Sequence, residues 1–139
     1  MKIRLFKSEL VYILLFKNRL KIYRLDNGKS IDRTSIKPFS NSRLLLGDFQ
    51  RFEVFLKELI EELFKKDNYL IAPPISMLMH QLEMKEGGVT PVEKRAMVDS
   101  ARHSNAKEFF LFFSDKELTL KQALAKIKNK EGTYLITDS

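Results

Sequence analysis

The sequence predicts an α/β domain: a mixed sheet with elements in the order β-β-β-α-β-α-β-α-β and helices packed on its faces. Three observations carry this. The first forty residues read as three strands joined by short turns. The hydropathy period then switches to helical spacing after Asp48. Two threonines, Thr90 and Thr119, each open a new helix ahead of a further apolar run. Strands that meander and then alternate with helices build one layered unit.

Leu10 to Phe16 is a continuous apolar run, the mark of a strand covered on both faces. Lys17-Asn18-Arg19 reads as a tight turn, and Leu20 to Arg24 alternates as a half-exposed strand does. Asp26-Asn27-Gly28-Lys29 is a second turn, because Asn and Gly tolerate positive φ. Ser30 to Phe39 reads as a third, more polar strand, closed by Pro38 and Ser40-Asn41-Ser42. Phe49, Phe52, Leu56, Leu59, Ile60, Leu63 and Phe64 fall on one helical face, with Asp48 as N-cap and Lys65-Lys66 at the C-terminal end.

After Pro73-Pro74, Ile75 to His80 reads as a strand. Thr90 with Glu93 forms a capping box, and Pro91 suits the first helical position. Val92, Ala96, Met97 and Ala101 are that helix's expected apolar side. Phe109 to Phe113 reads as a buried strand. Five consecutive residues cannot share one strand face, so a base-stacking platform is the weaker reading of it. Thr119 with Gln122 caps the last helix, with Leu120, Ala123, Leu124 and Ile127 inward and Gly132 at its end. Tyr134 to Thr137 is the last strand. This order of elements matches the ribonuclease-H-like/actin-like half-fold.

The chain has 139 residues, 44% hydrophobic and 31% charged. That supplies one real core, so residues 1–139 are read as a single domain and wholesale disorder is excluded. It has no cysteine, which excludes disulfides, thiolate metal sites and a cysteine nucleophile. Its apolar runs are all shorter than the roughly 18 residues a membrane span needs. The composition reads as cytoplasmic. Charge is uneven: residues 1–43 hold 11 Lys/Arg and 3 Asp/Glu, a net of +8, and residues 44–139 sum to −1. The basic third fits either a phosphate-bearing or acidic partner or a solvated strand ribbon that resists edge pairing.

Two stretches resemble the bacterial actin-like rod-shape-determining MreB family. Gly88-Val89-Thr90-Pro91-Val92-Glu93-Lys94-Arg95-Ala96, then Ala106-Lys107-Glu108-Phe109-Phe110-Leu111, is similar to the family run G-[IV]-T-x-V-E-R-R-A followed by A-[RK]-E-V-[FY]-L-I-E-E-P. Leu46-Gly47-Asp48-Phe49 resembles G-V-I-A-D-F, and Ser35-Ile36 falls on the family's P-S-V. The likeness extends over nearly the whole chain and is specific around residues 88–113. It implies one large actin-like subdomain, lacking the outer subdomain and the second half of the fold.

The departures decide the functional expectation. The family's phosphate loop, D-x-G-T-x-N-T, falls on Ile13-Leu14-Leu15-Phe16-Lys17-Asn18-Arg19. Asp has become Ile13, Gly has become Leu15 and Thr has become Phe16; only Asn18 persists. Leu15 and Phe16 cannot bring their backbone close to a phosphate. The family's E-E-P reads Phe113-Ser114-Asp115, and Thr137-Asp138-Ser139 stands where D-I-G-G-G-T-T continues. Glu93 falls on the glutamate that the resemblance implicates in water activation. Its capping box with Thr90 accounts for the same residue, and without a phosphate loop that is the reading adopted.

The expectation is therefore a non-enzymatic domain with no cofactor and no metal. It would bind an actin-like filament, itself or a morphogenetic complex concerned with cell shape. Lys2, Ile3, Arg4, Phe6 and Lys7 read either as an edge strand or as an amphipathic segment contacting anionic membrane at the inner face of the cell membrane. An alternative is a small basic nucleic-acid-binding module, with Tyr12, Phe16 and Tyr23 interleaved among the basic residues. A third is a metal-dependent nuclease using Asp48 and Asp138, which needs clustered carboxylates. His80 reads as a satisfied strand histidine, and His103 as a solvated residue near a helix end.

Overall fold

The computed structural model describes residues 9–41, 44–67, 73–83, 90–130 and 133–136. Residues 1–7, Gly132 and Asp138 lie outside these ranges, so the expectations placed on them have no structural counterpart here. The element order is the expected one: β1 (Glu9–Phe16), β2 (Arg19–Arg24), β3 (Ser30–Thr34), α1 (Phe49–Phe64), β4 (Ile75–Gln81), α2 (Pro91–His103), β5 (Ala106–Phe113), α3 (Leu120–Lys128) and β6 (Thr133–Ile136). A single 3-10 turn, Lys65–Asp67, closes α1.

One six-stranded mixed sheet runs in the order β3-β2-β1-β4-β5-β6. β1 pairs parallel with β4, and β4 with β5. The β1–β2, β2–β3 and β5–β6 pairs are antiparallel. β1 and β4 form the middle of the sheet, and all seven residues of β4 are buried. This is the physical basis of the unbroken apolar runs there: both faces need side chains that leave water.

Alternate residues of each strand feed two cores. Val11, Ile13, Leu15, Leu20, Ile22, Met77, Met79, Phe109 and Leu111 pack with α1 and α2 on one face. Tyr12, Leu14, Leu78 and Phe110 pack with Ala123 and Ile127 of α3 on the other. The caps are as read from sequence. Asp48 accepts from Arg51 N–H, and complete capping boxes join Thr90 to Glu93 and Thr119 to Gln122. Gly28 takes a positive φ of 76°, and Lys29 N–H bonds Asn27 Oδ1.

Five details differ. β3 stops at Thr34, because Ser35 N–H turns back to Asn18 O and Ser35 Oγ donates to Lys37 O, leaving Ile36 99% exposed. Val92 points outward and is 61% exposed. The capping box turns Glu93 inward, and one residue's step of the helix leaves position 92 on the flank beside α1. Phe113 is 38% exposed and Phe112 half-buried, because helix cover thins at the end of β5. α3 ends at its C-cap, Asn129, with Lys130 at a φ of 53°. Finally, Arg24 is 2% exposed. It shares a strand face with Leu20 and Ile22, so the period of two drives it under the sheet.

Candidate functional site at the β1–β2 turn

In sheets of this kind ligands gather at the carboxyl ends of parallel strands. Here those ends carry the Lys17-Asn18 turn after β1, Glu83 after β4 and Ser114 after β5. The turn is a two-residue hairpin. Phe16 already pairs with Arg19, and Asn18 takes a left-handed φ of 57°, which asparagine tolerates.

The backbone donors of this turn are spent inside the molecule. Lys17 N–H donates to Glu83 Oε1 at 3.3 Å, and Asn18 N–H donates to Ser40 Oγ at 3.1 Å. Ser40 N–H returns a bond to Asn18 Oδ1 at 2.7 Å, and its hydroxyl donates to Leu45 O. Ile13 and Leu15 point into the core with no exposure, and Arg19 lies 4.4 Å above the Phe16 ring. A phosphate arriving here would meet the Glu83 carboxylate and two N–H groups that already have acceptors.

Glu93 is buried and joins two parts of the chain. It completes the capping box with Thr90, and its Oε2 accepts from Leu46 N–H at 3.3 Å. The carboxylate thus ties the loop before α1 to the start of α2. Gly47 belongs to the same loop: a Cβ there would come within 2.3 Å of the Asn41 side chain. The Leu46-Gly47-Asp48 stretch is therefore shaped by packing.

Sequence reasoning missed the chain of polar groups behind β5. Leu118 N–H donates to Tyr12 Oη at 3.0 Å, and Tyr12 Oη lies 2.7 Å from His80 Nδ1. His80 Nε2 faces Ser114 Oγ at 2.9 Å and Ser114 O at 3.2 Å. The carbonyl only accepts, so Nε2 carries the proton and Nδ1 accepts from the tyrosine. Ser114 Oγ gives its own hydrogen to Lys116 O. His80 is therefore a donor toward Ser114, the opposite of a base activating a serine. Burial pushes the Tyr12 hydroxyl up to about 12, against the smaller downward pull of the Leu118 N–H. His80 is the satisfied strand histidine expected. His103, exposed at the end of α2, contacts Glu53 of α1.

The arginines of β2 and β3 are each engaged by carboxylates. Arg19 forks onto Asp32 at 2.7 and 2.8 Å, Arg33 onto Glu62, and Arg24 onto both Asp26 and Asp67. The Arg19 guanidinium hydrogen-bonds the Asp32 carboxyl and holds it below the usual range. Tyr12 has no exposure and cannot stack on a base, whereas Phe16 and Tyr23 are half-buried. Asp48 is occupied as N-cap and pairs with Arg51. Among the described residues no three His, Asp or Glu side chains gather as a metal site, and no helix is long and apolar enough to cross a membrane.

No protein-family model matches the chain. It is similar to the uncharacterized protein YjaA of Escherichia coli (strain K12), 26% identical over 126 residues that take in 86% of this chain and 98% of that protein. The relative's name states no activity.

Proposed function

We propose that this chain is a non-catalytic binding domain whose fold is the ribonuclease-H-like/actin-like half-fold, related to the actin-like MreB family. The observation that carries the non-catalytic reading is the closed β1–β2 turn. At the position of the family's phosphate loop, both turn amides are bonded to Glu83 and Ser40 side chains, and Ile13 occupies the aspartate position inside the core. Three meandering strands, parallel β1, β4 and β5, and helices on both faces support the fold reading. The antiparallel β6 at the edge departs from it.

The resemblance at residues 88–113 supports an actin-like filament as partner. The test is co-sedimentation with a polymerised MreB-type filament: the domain is expected in the pellet, saturably and without added nucleotide of its own. A domain that stays in the supernatant at every filament concentration removes the filament as partner. The nucleic-acid reading draws less support, because Arg19, Arg24 and Arg33 are each engaged by carboxylates and Tyr12 is buried.

A further inference from the structure

A cavity of about 240 Å3 lies where α1 and α2 end, beside the start of β4. It takes no part in the closed turn or the buried polar chain. Ile60 and Phe64 of α1, with Pro73 and Ile75, give it an apolar wall, and all four are buried. Its volume is below the roughly 300–1,000 Å3 of pockets for drug-sized ligands. It suits a molecule with a body of only a few carbons.

The polar groups narrow the chemistry. Ser104, the C-cap of α2, lines the cavity and is buried, and its hydroxyl has no hydrogen-bond partner. A buried hydroxyl left unpaired carries a desolvation cost that a ligand can relieve. Lys57 and Glu61 line the cavity one turn apart on α1, and both are exposed. Their order, Lys before Glu, is the less favourable one for pairing along a helix, and neither has a charged partner among the described residues. His103, on the same wall, is engaged by Glu53. The last turns of both helices border the cavity, so their negative dipole ends favour a cation beside Glu61. Lys57 offers a cation for an anion one turn back. An ammonium and a carboxylate carried on one carbon, next to a small apolar group, match all of these features together.

We infer that this cavity binds a free α-amino acid with a small apolar side chain. The side chain packs on Ile60, Phe64 and Ile75. The carboxylate meets Lys57, and the ammonium meets Glu61 and donates to the Ser104 hydroxyl oxygen. The inference is independent of the filament reading and of the β1–β2 turn. The test is a titration of the isotope-labelled full chain with L-leucine, followed by amide chemical shifts. Saturable shifts are expected in the millimolar range or below, centred on the second half of α1 and on Ser104 and Asn105. Isoamylamine, 4-methylvalerate and glycine each lack one of the three features and are expected to bind more weakly. Lys57→Ala and Glu61→Ala leave the fold intact, because both residues are exposed, and are expected to weaken leucine binding by about threefold each. Ser104→Ala removes no bond within the chain and is expected to weaken leucine by about fivefold. An absence of shifts up to tens of millimolar leucine overturns the inference. So does equal binding of the amine, the acid and leucine, which would make the cavity an unselective apolar hole. Leucine binding unaffected by all three substitutions overturns it too.

Discussion

Ile13→Asp is expected to destabilise the domain by at least about 4 kcal/mol at neutral pH, enough to unfold much of it. The substitution places an aspartate where the proposed actin-like likeness would have one, and the packing explains why it makes no site. Ile13 is fully buried in the α1–α2 core, between Ile22 of β2 and Met79 of β4 in the ladder. The side chains it packs with in that cluster are apolar. Burial raises the folded-state pKa of such a carboxyl above its unfolded value of about 3.9. The sign of the pH dependence follows. Below the unfolded pKa the acid is neutral in both states, and the ionisation cost vanishes. Above it the unfolded chain ionises freely and the folded one does not, so the cost grows by about 1.4 kcal/mol per pH unit up to the folded pKa. Urea unfolding of variant and parent at matched pH measures this. A pH-independent difference would mean that the carboxylate reaches water or a partner.

Arg24→Ala is expected to cost about 3 kcal/mol. Arg24 is fully buried at the end of β2, with its guanidinium forked onto Asp26 and Asp67 and lying 4.3 Å above the Phe64 ring. Removing the cation leaves two carboxylates facing each other and uncovers the end of α1. Asp26 and Asp67 keep some water access, which holds the loss below the roughly 5 kcal/mol upper end for buried pairs. Arg24→Lys recovers only part, because one ammonium cannot fork onto two carboxylates. A double-mutant cycle of Arg24→Ala with Asp67→Ala is expected to show coupling above about 1 kcal/mol. Strict additivity would mean that the pair is not a unit.

Much of the fold was legible in the sequence, because its signals are local. The Thr90–Glu93 and Thr119–Gln122 boxes are bonds across three residues, and Asp48 caps its own helix. The unbroken run of β1 announces cover on both faces. What was not legible depends on distance along the chain. Tyr12 meets His80 across 68 positions, Lys17 meets Glu83 across 66, and Arg24 meets Asp67 across 43. The strand period does place Arg24 on the face of Leu20 and Ile22, but its carboxylate partners come from outside the strand. That the β1–β2 turn is no glycine-rich phosphate loop could be read from Leu15 and Phe16. That its Lys17 and Asn18 amides bond Glu83 and Ser40 could not. Val92 shows the limit of an apolar pattern at a helix start, where the cap sets the rotation of the helix.

The central claim is that the β1–β2 turn leaves no seat for a nucleotide phosphate. Thermal unfolding with millimolar Mg-ATP, with magnesium alone as control, tests it most directly. A ligand at 100 times its dissociation constant adds about 2.7 kcal/mol. In a domain of this size that raises the melting midpoint by roughly 8 °C. The closed turn predicts the same midpoint with Mg-ATP as with the control. A rise of several degrees specific to ATP would contradict it, and would mean that the Lys17 and Asn18 amides can release Glu83 and Ser40 to take a phosphate.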